Sequence, residues 1–353
     1  KPERLKDLIR GNPGKKKIIV DEVHKVPSLL DVIHQVMEQD KDIKFIMTGS
    51  SSRKLKRGGA DLLGTLKGDI LPDYPEALIN IKTIPDMAAI QEDENGLKVG
   101  ALTRLVDIVR SPKIRERYSI LAEAAKSVAS PEIRNMGTIG GNLCQDTRCW
   151  YYRYPHQIGG RIQCLRKGKG PCLAIKGDNR YHAILGGKKC FAVCPSDMAV
   201  VLAALDTKIS VAGGDGERVV PLMDFYQTMG PVLKPNEMVC AVEVPRPTDR
   251  INQAFLKFTV KDAPDFAIVS VATAVRMADD VCEEAGIILG AVAPTPYRAR
   301  DAEDAIKGKS LSKRTIAKAV EAAVIHAKPL SGNAYKIEIV KTLVRRALSS
   351  VGT

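Results

Sequence analysis

Several signatures are missing from this sequence, and each absence removes a class of protein. No apolar run reaches the roughly 18 residues that a membrane-crossing helix needs, so no membrane partner is expected. No secretory leader is recognisable at the start, which places the protein in the cytoplasm as an expectation. The first residue is lysine, so the natural start is expected upstream. No G-x-x-x-x-G-K-[ST] phosphate loop occurs, which argues against ATP hydrolysis. The tight C-x2-C pair of zinc ribbons is absent as well; Cys190 and Cys194, the closest pair, have three residues between them. Aromatic residues make up only 5%, without a stacking motif, so nucleic acid is not the expected partner despite a net charge of +13. No internal repeat or low-complexity tract breaks the chain.

What is present is a chain of 353 residues, enough for two or three domains with real cores. Its basic balance reads as a solvated surface or a docking face for an acidic partner. The chemistry is concentrated between Thr138 and Asp197, which hold six of the eight cysteines: Cys144, Cys149, Cys164, Cys172, Cys190 and Cys194. In a reducing compartment clustered thiols point to metal rather than to disulfides. Iron–sulfur clusters take four thiolates, which tolerate wide spacing. The glycine-rich TIGGN at 138–142 lets backbone amides approach a phosphate. A flavin or nucleotide beside an iron–sulfur cluster describes an electron-transfer protein.

Residues 1–57 form a segment of their own. The apolar run Ile18–Val20 leads directly into Asp21 and Glu22, the order of a Walker B strand, and TGSS comes after a second strand-like run. This segment resembles the middle of a AAA-type ATPase; the alternative is that it supplies β-α-β scaffolding to the rest of the chain. Beyond it, ALINIKTI at 77–84 reads as a strand, LKVGALTRLVDIV as strand then helix, and 111–130 as helical. AIVSVATAVRM and AGIILGAVAPTPYRA read as C-terminal strands, followed by helices around SKRTIAKAVEAAVIHA and AYKIEIVKTLVRRAL. Cys240 and Cys282, in strand-like apolar contexts, read as buried, inert thiols.

GGADLL, LINIKTIP, GALTRL, ASPEIRNMGTIGGN, PSDMA and FLKFTVKDAPDFAIVSVA succeed one another in that order from Gly58 onward. Together they resemble the FAD-binding subunit of the xanthine dehydrogenase and molybdenum hydroxylase family. The resemblance implies an α+β fold: a two-part FAD-binding domain of the vanillyl-alcohol-oxidase type, then a small α+β C-terminal domain. The corresponding boundaries are 1–57, 58–245 with an insertion at about 144–194, and 246–353. That insertion is similar to those of the 4-hydroxybenzoyl-CoA reductase and periplasmic-type aldehyde oxidoreductase subgroups, which implies an extra [4Fe–4S] cluster.

Carried over residue by residue, the resemblance implies that Gly58, Gly59, Ala60, Asp61 and Leu62 wrap the FAD pyrophosphate, with a plain glycine turn as the alternative. Thr138, Ile139, Gly140, Gly141 and Asn142 form the second flavin loop, Thr138 donating its hydroxyl to phosphate and the two glycines presenting amides. Asp197 answers to an acid on the adenosine side of FAD, or caps the helix that begins there. Lys257 answers to a basic residue at the isoalloxazine edge, or is a surface lysine. Cys149, Cys164, Cys172 and Cys190 match the cluster ligands, with Cys144 and Cys194 as alternatives. Arg166, Lys167, Lys188 and Lys189 crowd the same loop, and positive charge there raises a cluster's potential. The implied partners are a molybdenum-cofactor large subunit, a small subunit with two [2Fe–2S] clusters, and an external carrier such as ferredoxin. An ATPase-related protein and a zinc-stabilised nucleic-acid binder stand as rival readings.

Overall fold

The computed structural model describes residues 4–11, 17–20, 32–33, 35–36, 39, 44–47, 81–153, 164–168, 170–247, 251–261 and 264–352. The loop at 58–62 and the acids Asp21 and Glu22 lie outside the described residues. Two compact units divide the chain, Lys1–Asn80 and Ile81–Thr353.

In the smaller unit a helix α1 (Arg4–Arg10) precedes strands β1 (Lys17–Val20) and β2 (Lys44–Met47). The two strands pair in parallel, Ile18 opposite Phe45 and Ile19 opposite Ile46. Parallel neighbours need a crossover, and helical residues lie between them, with Val32, Ile33 and Val36 buried.

The larger unit is two antiparallel sheets with helices between and behind them. Ile81–Thr83 is a 3-10 turn, not the strand expected across 77–84. Strands β3 (Ile90–Glu92) and β4 (Gly96–Gly100) form a hairpin. Gly96 is required at its turn: φ is +143°, and a Cβ would stand 2.2 Å from the Val244 carbonyl oxygen. The helical stretch after it is broken into α2 (Leu105–Arg110), α3 (Pro112–Arg117), α4 (Ser119–Ser127) and α5 (Pro131–Met136). Ser130-Pro131 does not merely end a helix; it starts α5, with Ser130 capping and Pro131 at the first position, where its missing N–H is harmless. Two short helices come next, α6 (Ile139–Leu143) and α7 (Trp150–Arg153).

Helix α8 (Asp197–Ala204) is apolar all round, and all eight of its residues are buried. That pattern places a helix inside a core rather than on a surface. Strands β5 (Lys208–Gly213) and β6 (Gly216–Pro221), the turn α9 (Leu222–Phe225), and the small hairpin β7 (Tyr226–Gln227) and β8 (Gly230–Pro231) succeed it. With β9 (Glu237–Pro245) they complete the first sheet, in the order β3-β4-β9-β5-β6, β7 and β8 standing apart as their own pair.

The second sheet runs β10 (Ile251–Phe258), β11 (Val269–Ala278), β12 (Val281–Gly290) and β13 (Tyr297–Arg298), each antiparallel to the next. Helices α10 (Arg300–Ile306), α11 (Lys313–Ala322) and α12 (Tyr335–Val351) close the chain. β11 is buried along most of its length because α8 packs against one face of this sheet and α12 against the other. α8 approaches closely because Gly290 has no side chain: a Cβ there would meet Val200 Cγ2 at 2.5 Å. α12 buries Val340, Leu343, Val344, Ala347, Leu348 and Val351, the stripe that its 3–4 spacing predicts. α10 went unread in the sequence, since RDAEDAI carries too few apolar residues to mark a face.

Candidate cofactor site

Two features of α8 and α6 build the site. Thr138 caps α6: its Oγ1 accepts the Gly141 amide at 3.1 Å, which leaves the hydroxyl hydrogen free to donate outward. Ser196 caps α8 by accepting the Ala199 amide at 3.0 Å, and donates to Asn142 Oδ1 at 2.7 Å. The two helix starts are thereby tied together, with Asn142 between them.

The glycines of this loop divide in role. The Gly140 amide donates to the Ala101 carbonyl at 2.9 Å, and a Cβ on Gly140 would sit 2.9 Å from Ala101. Gly140 is a packing glycine, and its N–H does not face open space as the sequence suggested. The Ile139 amide is likewise taken, by the Thr103 carbonyl at 2.9 Å. Gly141 is exposed, and a Cβ there would meet only Thr138 Oγ1, at 3.2 Å.

Asp197, at the start of α8, meets Lys257 of β10: Nζ lies 2.7 Å from Oδ2, with both side chains less than a tenth exposed. Lys257 Nζ also donates to the Ser127 carbonyl at 3.0 Å. Burial pushes the Asp197 carboxyl up, and Lys257 pulls the other way. Sequence matching sent these two residues to opposite ends of a cofactor. The structure joins them in one buried pair.

A cleft of about 570 Å³ opens above this pair, lined among others by Ile133, Thr138, Gly141, Asn142, Asp197 and Lys257. Its lining combines hydroxyl, amide and ammonium donors with the apolar Val128, Ile133 and Phe266, the mixture that a phosphate-bearing planar cofactor requires. The donor set and shape fit a flavin nucleotide. A second cavity of about 340 Å³ shares Arg148, Asp197 and Phe266 with the cleft and reaches Cys149 and His182. The Arg148 guanidinium stacks 4.6 Å from the centre of the Phe266 ring, between the two spaces.

The cysteine insertion has no strand ladder among its described residues. Side chains hold it instead. Asn179 Nδ2 donates to Ser331 Oγ at 3.0 Å, and its Oδ1 accepts the Gly332 amide at 2.8 Å. Asn333 Nδ2 donates to the His182 and Ala183 carbonyls at 3.1 and 3.3 Å. Lys336, in the first turn of α12, is buried and donates to the Tyr181 and Ala291 carbonyls at 3.2 and 2.8 Å. Burial lowers its pKa to about 7. These three residues were not singled out from sequence, since 150 or more positions separate Asn179 and Asn333 from their partners across the clamp.

The thiols are brought near one another without forming a closed ligand set. Among the described residues no group of three or more His, Cys, Asp or Glu side chains is placed to hold a metal ion. Residues 154–163, between Cys149 and Cys164, lie outside the described residues. Cys149 is nonetheless close enough to Cys190 and Cys172 for their charges to oppose its ionisation, after burial, while the Tyr151 and Tyr152 amides favour it. Its sulfur lies 3.3 Å from His182 Nε2. Cys190 Sγ accepts from Arg166 Nε at 3.3 Å. Cys164 and Cys190 are buried. Of the four thiols matched to cluster ligands, Cys149 and Cys190 have a side-chain partner at the sulfur. Cys194 is buried and desolvation pushes its thiol up to about 12; Cys282 is buried too, whereas Cys240 is partly exposed.

The geometry defines a class: an α+β protein with a donor-lined cleft of nucleotide size beside a thiol-rich insertion. Comparison with known proteins takes the assignment further. Residues 24–247 match the family model described as the FAD binding domain in molybdopterin dehydrogenase, and 253–351 match the CO dehydrogenase flavoprotein C-terminal domain. The aldehyde oxidoreductase FAD-binding subunit PaoB of Escherichia coli is 32% identical over 309 residues, covering 84% of this chain and 90% of that one. The carbon monoxide dehydrogenase medium chain of Hydrogenophaga pseudoflava is 28% identical over 305 residues, with 85% and 89% covered. Among solved structures, quinoline 2-oxidoreductase from Pseudomonas putida 86 superposes with a TM-score of 0.61 at 21% identity, covering 96% and 97% of the two chains. A carbon monoxide dehydrogenase from Hydrogenophaga pseudoflava gives 0.60 at 23%, covering 98% and 92%. The chain belongs to the FAD-binding subunit family of the molybdopterin-dependent dehydrogenases, and is an oxidoreductase subunit with a FAD-binding domain followed by the flavoprotein C-terminal domain. The first match begins at residue 24, inside the 1–57 segment, and no comparison supports the ATPase resemblance of that segment.

Among the described residues no helix is long and apolar enough to cross a membrane.

Proposed function

We propose that this chain is the electron-transfer subunit of a molybdenum-containing hydroxylase or dehydrogenase of the cytoplasm. It holds FAD and a [4Fe–4S] cluster, and passes electrons between a partner's [2Fe–2S] clusters and an external carrier such as ferredoxin. The observation that carries the reading is the cleft that gathers Thr138, Gly141, Asn142, Asp197 and Lys257, with a thiol-lined insertion reached through the adjoining cavity. Gly58, Gly59, Ala60, Asp61 and Leu62 are proposed as a further FAD loop on sequence grounds.

FAD exchanges electrons singly or in pairs, which suits a junction between one-electron clusters and a two-electron partner. The residues of this chain bind and bias it. The Thr138 hydroxyl and the exposed Gly141 segment face phosphate. The Asp197–Lys257 pair places a fixed dipole at the floor of the cleft, and the Lys257 ammonium favours negative charge on a reduced cofactor. Phe266 and Arg148 stack where the cleft meets the cavity that leads to the insertion. Cys149, Cys164, Cys172 and Cys190 are the proposed cluster ligands, supported by their all-sulfur chemistry and by the proximity of Cys149 to Cys172 and Cys190.

The test of the flavin part is extraction of cofactor from purified wild-type chain and from Lys257→Met. About one FAD per wild-type chain, with a reduced share in the variant, is the expected result. Wild-type chain that neither retains nor rebinds FAD overturns it.

A further inference from the structure

Charge is unevenly committed in the flavin cleft. Among the described residues, the charged side chains that line it are Arg148, Asp197, Lys257 and Asp265. Lys257 is bound to Asp197, with Nζ 2.7 Å from Oδ2 and both side chains less than a tenth exposed. Asp265 accepts the Phe266 amide at 2.7 Å. The lining is therefore balanced before any cofactor enters, its two cations set against its two acids. A pyrophosphate placed there brings negative charge beside two carboxylates, and Asp197 offsets most of the attraction that Lys257 offers.

Arg148 is the cation left over. Its guanidinium stands 4.6 Å from the centre of the Phe266 ring, and among the described residues it has no hydrogen bond and no carboxylate partner. Cation–π attraction holds a guanidinium by its charge and leaves its N–H fork free to donate. Burial, and then the nearby Arg153, oppose that charge and lower the pKa. An anion beside the guanidinium relieves both.

The chain on either side of Arg148 is fastened. It follows the end of α6 at Leu143 by five positions, at the root of the cysteine insertion. Thr147, next to it, is buried and donates its hydroxyl to the Val193 carbonyl at 3.2 Å, while the Thr147 carbonyl accepts from Arg153 Nε at 2.6 Å. These bonds are separate from the clamp made by Asn179, Asn333 and Lys336.

We propose that Arg148 is a cofactor-binding residue, a guanidinium that the insertion contributes to the flavin cleft to pair with the pyrophosphate of FAD. This rests on the FAD reading above and deepens it; it needs no metal at the thiols. Thr138 and the Gly141 segment supply neutral donors, and Arg148 supplies the charge. A guanidinium fork matches phosphate oxygens two at a time, so it fixes direction as well as charge.

The experiment uses the full chain freed of flavin, as wild type, Arg148→Gln and Arg148→Lys. Arg148 touches no described side chain but Phe266, so both variants are expected to fold, and thermal melts without flavin check this. FAD is titrated in by calorimetry at low and at moderate salt. Arg148→Gln is expected to bind FAD about 10- to 100-fold more weakly, the size of one lost charge-assisted contact, with affinity less sensitive to salt. Arg148→Lys is expected to recover part of the affinity and to keep the wild-type salt sensitivity. Arg148→Gln with wild-type FAD affinity overturns the proposal and leaves the FAD reading intact. Equal weakening in both variants with salt sensitivity unmoved overturns it too, since the side chain then acts by packing on Phe266. Wild-type chain that binds no FAD overturns the FAD reading, and this proposal with it.

Discussion

The flavin cleft and the cysteine insertion adjoin one another, yet they are held together by different means. The cleft hangs on regular structure. Its key groups start helices or sit in strands, and capping hydrogen bonds from Thr138 and Ser196 fix the loops between. Among its described residues the insertion has short helical turns only, and it borrows its order from the C-terminal domain through Asn179, Asn333 and Lys336. A site on regular elements is fixed by local sequence, whereas a clamped loop is fixed by partners far along the chain. The two regions should therefore fail separately, and substitutions in each can test that separation.

The largest effect is expected at the buried pair. Lys257→Met leaves Asp197 buried and uncompensated, which costs about 3–5 kcal/mol when a buried pair loses one partner. Asp197 can escape part of that cost by taking up a proton, so the variant should be most stable in acid and lose stability as pH rises above the ordinary carboxylate range. Thermal melts across pH measure this. The double variant Lys257→Met with Asp197→Leu should recover much of the stability but not FAD binding. A single variant as stable as wild type at pH 8 would break the view of the pair as the keystone of the cleft.

Next comes the clamp. Asn333 is fully buried, and Asn333→Ala strands two carbonyl groups, at about 1–3 kcal/mol. Limited proteolysis should then cut within the insertion, with iron content falling while FAD content stays near wild type. Equal loss of both cofactors would show that the two regions are one cooperative unit.

Lys336 supplies a pH signature. Its pKa falls from 10.5 in the unfolded chain to about 7 when folded. Between those values the unfolded state binds more protons, so this group makes stability rise with pH from about 7 to 10.5 and adds no slope below 7. Lys336→Met should flatten that rise. An unchanged slope would mean that the ammonium reaches water.

The smallest effect belongs to the cap of α6. Thr138→Val should cost about 1 kcal/mol, read from denaturant midpoints, and weaken FAD retention without touching iron.

How much was legible follows the same divide. The strand-to-helix run at Leu97–Arg110, the two C-terminal helices and the apolar α8 were all readable, because period and capping are local signals. Thr138, Asn142, Asp197 and Lys257 were named from motifs, and the structure brings them to one cleft. What motifs could not give is geometry between elements. Nothing local to PSDMA or FLKF says that Asp197 and Lys257 touch, or that the Gly140 amide is spent on Ala101. ALINIKTI alternates like a strand, but Ile81–Thr83 turns instead, bounded by Pro85. His182, Arg166 and Lys336 carried no signal of their contacts, since each acts through a partner that only the folded chain supplies.

The central claim is that flavin and iron–sulfur cluster share this one chain. An absorbance spectrum of anaerobically purified protein, with iron, sulfide and flavin assays on the same sample, tests it most directly. About four irons and four sulfides per chain beside about one FAD is the predicted result. Flavin with no iron, in protein handled without oxygen, would contradict it.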